Sequence, residues 1–160
     1  MKQVLQNYPY GFKPTSATCA TGVNHRNKGG MMKVFIVEDS EIVREHLQSM
    51  LSDIPSVELV GYAGDELGAI ERIEALLPDV VTLDLSLQPG SGIAVLENIK
   101  KRHAKIKVIV LTNYTDEFYA NSCKNAGADC FFDKTFQFSR VRSALWSWVY
   151  AGDTGNKVAA

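Results

Sequence analysis

The chain has 160 residues, of which 46% are hydrophobic and 22% are charged, which suits one globular domain with its own core. A net charge of −1 at pH 7 argues against a surface that binds polyanions. Apolar runs stay well below the roughly 20 residues that cross a bilayer, and Met1–Phe12 lacks the pattern of a signal peptide, so we expect a cytoplasmic protein. The cysteines are odd in number and lack metal-ligand spacing, which favours reduced thiols; they are Cys19, Cys123 and Cys130.

The N-terminal part of the chain differs in composition from the remainder. Residues 1–31 are rich in Asn, Gly, Ser, Thr and Lys without a helical or strand period, which predicts a disordered extension. Met31 and Met32 directly precede the first apolar segment, and our hypothesis is that one of them is the true start of the protein. We predict one domain over residues 32–151 and a flexible tail over residues 152–160.

From residue 33 onward, short apolar segments alternate with helical patterns. The predicted strands are Lys33–Val37, Val57–Tyr62, Asp79–Leu83, Lys107–Thr112 and Ala128–Phe132. A helical pattern follows each strand; in the second helix it consists of Leu67, Ile70, Ile73, Leu76 and Leu77. Alternation of this kind predicts right-handed crossovers and a parallel sheet of five strands that five helices cover on both faces.

Polar side chains stand at the carboxyl ends of four of these strands. Glu38 and Asp39 follow the first strand, Asp84 the third, Thr112 ends the fourth, and Lys134 follows the fifth. A parallel sheet brings such residues to one edge, where ligands bind in open α/β folds. Three carboxylates in close proximity repel one another unless a cation lies among them. Because Mg²⁺ prefers oxygen ligands, this edge of the sheet predicts a magnesium site.

This spaced set of residues resembles the receiver domain of bacterial two-component response regulators, over about residues 32–150. The resemblance implies a flavodoxin-like sheet with strand order 2-1-3-4-5. It also implies that Asp84 accepts a phosphoryl group from a histidine kinase. By the same resemblance, Glu38, Asp39 and Asp84 hold Mg²⁺ together with the backbone carbonyl of Ser86.

The resemblance assigns three further residues to the response to phosphorylation. Thr112 corresponds to the hydroxyl that turns to bond the phosphoryl group, and Lys134 to the lysine that pairs with the carboxylate and then with the phosphoryl oxygens. Phe131 occupies the place of the aromatic switch residue. Without the hydroxyl of the tyrosine often found there, Phe131 would act through packing. Two neighbours also depart from the family pattern: Asn113 replaces a smaller residue and narrows access, and Thr135 replaces proline.

We therefore predict a stand-alone receiver domain that is not an enzyme beyond its own Mg²⁺-dependent phosphorylation and dephosphorylation. Its partners would be a sensor histidine kinase or a histidine phosphotransfer protein, and an unknown downstream protein or phosphorelay; neither DNA nor membrane is expected to bind. The aromatic side chains of Tyr114, Phe118 and Trp146 are typical of a partner surface. The alternative for these rings is that they cover the edge of the sheet.

Two other functions fit parts of the pattern. A receiver-like adaptor would bind its partner without phosphorylation, although the complete set of acids, Thr and Lys argues against it. A phosphohydrolase of the haloacid dehalogenase type would also form an aspartyl-phosphate. Such enzymes carry a second Asp two residues after the nucleophile, and here that place holds Ser86.

Overall fold

The computed structural model describes residues 30–150, in which five strands alternate with five helices. The strands are β1 (Met32–Val37), β2 (Val57–Ala63), β3 (Val80–Leu83), β4 (Lys107–Thr112) and β5 (Cys130–Asp133). The helices are α1 (Glu41–Ser52), α2 (Glu66–Leu76), α3 (Gly92–Arg102), α4 (Glu117–Asn125) and α5 (Phe138–Tyr150). Residues 1–29 of the extension predicted over residues 1–31, and the whole tail predicted over residues 152–160, lie outside the described residues.

All strand pairs are parallel, and the sheet order is β2-β1-β3-β4-β5. The predicted flavodoxin-like fold is therefore confirmed. Side chains of β1 alternate between two cores, with Val34 and Ile36 on the side of α1 and α5, and Phe35 and Val37 on the side of α2, α3 and α4. Both faces of the sheet are consequently buried, and its carboxyl edge is left as the place where polar groups meet.

Helix caps fix the chain just beyond this carboxyl edge. The side chains of Ser40, Asp65 and Asp116 accept hydrogen bonds from backbone N–H groups in the first turns of α1, α2 and α4, respectively. Such caps satisfy donors that have no partner within the helix. Each cap begins a helix within a few residues of the preceding strand, so the intervening loop has little freedom.

The apolar pattern of α2 predicts a helix correctly, but much of it does not reach the core. Ala69 and Ile73 are buried, whereas Leu67 is 66% exposed and Leu77 is 54% exposed. The reason is position, because α2 packs on the edge strand β2 and against α3, so part of its apolar surface has no neighbour within residues 30–150. None of the helices described in this range is long and apolar enough to span a membrane.

The two cysteines of the described chain differ in state. Cys123 is a free thiol buried in α4, and burial raises the pKa of this thiol to about 11. Cys130, the first residue of β5, is disulfide-bonded. The expectation of reduced thiols is therefore wrong at Cys130. The number and spacing of cysteines exclude a regular framework of disulfides, but they leave a single pairing open.

Candidate functional site

One lysine bridges two buried carboxylates at the carboxyl edge of the sheet. Glu38, directly after β1, is 1% exposed, and Asp84, directly after β3, is 5% exposed. The Nζ atom of Lys134, just beyond β5, lies 2.8 Å from Oε2 of Glu38 and 2.7 Å from Oδ2 of Asp84. Residues from three strands thus meet in one contact, as the parallel sheet predicts.

Backbone groups hold the other oxygen of each carboxylate. Oε1 of Glu38 accepts a hydrogen bond from the N–H of Ser40 at 3.0 Å, and Oδ1 of Asp84 accepts one from the N–H of Ser86 at 3.2 Å. The guanidinium of Arg44 donates to the backbone carbonyl of Glu38 at 3.2 Å. Both carboxylates are therefore held in orientation by the loops that carry them. Arg44 is a support that no sequence motif indicates.

Burial and the contacts of Lys134 together set the electrostatics of this group. Burial raises the pKa of Glu38, and this effect outweighs the hydrogen bond from Lys134 that favours the ionised form. Burial acts to lower the pKa of Lys134, but its hydrogen bonds to Asp84 and Glu38 prevail, and the pKa is raised. Lys134 is therefore held firmly as a cation, yet its contacts do not offset the effect of burial on Glu38.

A third carboxylate completes a candidate metal centre. One oxygen each of Glu38, Asp39 and Asp84 lies within 4.8 Å of the others. Asp39 is exposed whereas its two partners are buried, so the cluster opens to solvent on one side. Hard oxygen donors beside water fit Mg²⁺, which prefers such ligands and usually retains water molecules. Ser86, whose carbonyl is the fourth predicted ligand, is partly buried and lies in the loop after β3 that also carries Asp84.

Thr112 and Phe131, the two predicted switch residues, occupy the neighbouring strands β4 and β5. Thr112 is completely buried, and its Oγ1 accepts a hydrogen bond from the N–H of Tyr114 at 3.2 Å. Its backbone carbonyl accepts one from the N–H of Lys134 at 2.9 Å, so these two residues are neighbours across the sheet. Phe131 is partly buried and packs against the core on the side of α2, α3 and α4.

The loop after Asp84 depends on two features that sequence reasoning did not assign to the site. A Cβ atom on Gly92 would lie 2.1 Å from the carbonyl oxygen of Asp84, so only glycine fits this close approach. Glu66, in the first turn of α2, accepts a hydrogen bond from the N–H of Ser91 at 2.8 Å. The sequence signals for both are weak, since Gly92 reads only as part of a turn and Glu66 only as an acid near a helix N-terminus.

The three aromatic residues predicted for a partner surface are all exposed, by 45% for Tyr114, 72% for Phe118 and 42% for Trp146. Tyr114 stacks on Tyr119 with ring centroids 5.1 Å apart, which keeps its ring on the surface of α4. The alternative in which these rings cover the edge of the sheet is not favoured, because they retain so much exposure. Their role in binding a partner remains a prediction.

Comparison with known proteins gives a consistent result. Residues 34–146 match the response regulator receiver domain. The chain is 36% identical over 115 residues to protein-glutamate methylesterase/protein-glutamine glutaminase 1 of Methanospirillum hungatei, covering 70% of this chain and 33% of that protein. It is 38% identical over 115 residues to the DNA-binding transcriptional activator DevR/DosR of Mycobacterium tuberculosis, covering 72% of this chain and 53% of that protein. The chain thus spans between a third and about half the length of these curated relatives.

Solved structures extend the similarity to the fold. The response regulator domain of Thermotoga maritima CheB superimposes with a TM-score of 0.67 and 29% identity, over 77% of this chain and 97% of that chain. A chain of the CheX-CheY-BeF3-Mg complex from Borrelia burgdorferi superimposes with a TM-score of 0.69 and 25% identity, over 74% of this chain and 90% of that chain.

Proposed function

Because this chain belongs to the response regulator receiver family, we propose that Asp84 accepts a phosphoryl group from a phosphohistidine of a sensor histidine kinase or histidine phosphotransfer protein. The observation that carries the proposal is the buried Asp84 carboxylate, held 2.7 Å from Lys134 beside the acidic cluster. A carboxylate can act as the nucleophile toward phosphorus. Phosphoryl transfer depends mainly on positioning and on neutralising oxygen charge.

The residues of the site divide this work between them. A carboxylate oxygen of Asp84 attacks phosphorus and forms the new O–P bond, while the P–N bond to the donor imidazole breaks and the imidazole keeps the electron pair. Lys134 already contacts this carboxylate, and its three N–H groups can turn to the phosphoryl oxygens. The Thr112 hydroxyl can donate a further hydrogen bond once its side chain turns toward the site. Glu38 keeps Lys134 in place on the other side.

The acidic cluster is proposed to hold Mg²⁺, with Glu38, Asp39, Asp84 and the carbonyl of Ser86 as ligands. When bound, the ion neutralises charge on the phosphoryl oxygens. The donor set fits this ion because all its side-chain ligands are carboxylates and one of them, Asp39, is open to water. The pKa of Glu38 is raised mainly by burial, and the nearby Asp84 carboxylate adds to this effect.

The output is proposed to be a change of surface that a protein partner recognises in the cytoplasm. A phosphoryl group adds negative charge and acceptor oxygens. Thr112 turning toward them would leave space at the end of β4, and we propose that Phe131, on the neighbouring strand β5, repacks in response. This repacking would change the arrangement of three exposed rings, namely Tyr114 just before α4, Phe118 in α4 and Trp146 in α5.

The test is incubation with Mg²⁺ and acetyl phosphate, followed by intact-mass measurement. We expect one added phosphoryl group on the wild type, none on Asp84→Asn, and none when the metal is chelated. Asp53→Asn is the matched control, because Asp53 is an exposed carboxylate at the end of α1. An unlabelled wild type, or equal labelling of Asp84→Asn, would refute the proposal. Steady release of phosphate from external esters would instead support a phosphohydrolase.

A further inference from the structure

We propose that the side chains of Asn113 and Thr135 form a clasp that holds the domain in its unphosphorylated arrangement and so sets how readily Asp84 is phosphorylated. The inference rests on the proposed phosphorylation of Asp84 and identifies two positioning residues for it. Neither residue touches the reacting carboxylate. Both act through their neighbours in the chain, Thr112 and Lys134.

The clasp is a hydrogen bond in which Oγ1 of Thr135 donates to Oδ1 of Asn113 at 3.2 Å. Asn113 directly follows Thr112 at the end of β4, and Thr135 directly follows Lys134 after β5. These strands are neighbours in the sheet, so the bond joins two loops one residue beyond the groups that serve the phosphoryl site. Asn113 and Thr135 are both exposed, which places the clasp on the solvent side of the site.

The Thr135 side of the clasp is firmly anchored. Oδ1 of Asp133 accepts hydrogen bonds from the N–H of Thr135 at 2.7 Å and from the N–H of Phe136 at 2.9 Å. The N–H of Asp133 in turn donates to the side chain of Gln137 at 3.1 Å. This turn links β5 directly to the start of α5, so Thr135 provides a fixed point.

The Asn113 side belongs to an irregular loop between β4 and the Asp116 cap of α4. In this loop the N–H of Tyr114 donates to the Thr112 hydroxyl at 3.2 Å. In this bond the Thr112 hydroxyl is the acceptor and keeps its proton, but its side chain is held toward its own loop, and the residue next to it is tied to Thr135. The clasp therefore stabilises the arrangement in which the Thr112 side chain is held by its own loop.

The effect on phosphorylation is that of a two-state equilibrium. A contact present in only one state lowers the apparent affinity of any ligand that selects the other state. A neutral hydrogen bond contributes a free energy equivalent to about a twofold to tenfold change in an equilibrium constant, and exposure keeps this one at the lower end. Loss of the clasp should therefore increase affinity for a phosphoryl mimic by about two- to fivefold.

The experiment titrates beryllofluoride into the metal-loaded domain in the presence of Mg²⁺, with calorimetry as the readout. Thr135→Val removes the hydroxyl with little change of shape, and Thr135→Ser retains it. We expect tighter binding for Thr135→Val and wild-type binding for Thr135→Ser. Asn113→Ala should match Thr135→Val, and the double variant should show no further gain, since all three lose the same bond.

The outcomes separate the two proposals. If the wild type binds no beryllofluoride, or Asp84→Asn binds it equally well, the proposed function fails and the clasp fails with it. If the wild type binds and Thr135→Val binds equally or more weakly, the clasp alone is refuted. Asn113→Ala also widens access to Asp84. Tighter binding of beryllofluoride by this variant alone would therefore be an effect of side-chain size and would equally refute the clasp.

Discussion

Replacing Lys134 by methionine is expected to destabilise the metal-free domain substantially. Its Nζ atom is within 2.8 Å of both Glu38 and Asp84, which are 1% and 5% exposed. Removing one partner from a buried ion pair leaves an uncompensated charge and typically costs about 3–5 kcal/mol. Because the Lys134 side chain keeps 12% exposure, we expect about 3 kcal/mol at pH 7, at the lower end of that range.

Urea unfolding in the presence of a chelator measures this loss. The urea concentration at the midpoint should fall, while the slope of the unfolding free energy against urea concentration stays the same. This is the pattern of a change of stability without a change of fold. Lys101→Met is the matched control, because Lys101 is an exposed lysine in the last turn of α3. Unfolding of Lys134→Met and Lys101→Met at the same urea concentration would show that the two contacts of Lys134 contribute little, and the electrostatic reasoning would be wrong.

Mg²⁺ provides an independent check on the same variant. An ion that binds only the folded state stabilises it according to its affinity. Without Lys134, the acidic cluster carries more uncompensated charge, so Mg²⁺ should stabilise Lys134→Met more than it stabilises the wild type. The comparison is made from unfolding midpoints across a magnesium titration. An equal gain for both proteins would contradict the assignment of Glu38, Asp39 and Asp84 as the metal ligands.

Three further predictions concern single groups. Gly92→Ala should cost about 2 kcal/mol or more in unfolding free energy, because the new Cβ would displace Asp84, whereas Gly64→Ala, with no atom nearer than 3.5 Å, should be tolerated. Thr82→Val should raise the unfolding free energy by about 1 kcal/mol, because the buried Thr82 hydroxyl has no hydrogen-bond partner among the described residues. Cys123 should resist iodoacetamide at pH 8, as judged by peptide mass, since its pKa is raised to about 11. Below its ordinary pKa of 9.0, the protonated Cys123 thiol contributes to the stability of the fold, and this contribution is lost as the pH rises through about 11. Urea midpoints that stay unchanged between these two pH values would contradict the raised pKa of Cys123.

The convergence of the acids could be predicted from sequence because it depends on simple local rules. A short apolar run predicts a strand, alternation with helices predicts a parallel sheet, and parallel strands place their carboxyl ends together. These rules bring Glu38, Asp84 and Lys134 to one edge without any knowledge of side-chain geometry. They do not reveal that one ammonium group contacts both carboxylates, since that depends on where the Lys134 side chain points.

Side-chain environment explains the other limits of prediction from sequence. Helical periodicity places Trp146 and Tyr150 on the outside of α5, and it places Trp148, which continues the spacing of Val141 and Leu145, in the core, where it is 5% exposed. Leu67 shows where periodicity fails, because its apolar character suits a core position while its place on α2 leaves it exposed. Periodicity identifies an element and its phase, but the extent of burial depends on which neighbours the fold supplies.

Charge balance links these observations to the need for a metal. Three carboxylates face the single ammonium group of Lys134, so the fully ionised site has an excess of two negative charges. The metal-free domain can relieve this excess by protonating Glu38, whose pKa burial raises. Phosphorylation replaces the single charge of Asp84 by about two, so the excess rises to about three, and a proton on Glu38 offsets only one of these charges. A divalent cation offsets two of them, which is why we expect Mg²⁺ to be required for phosphorylation but not for folding.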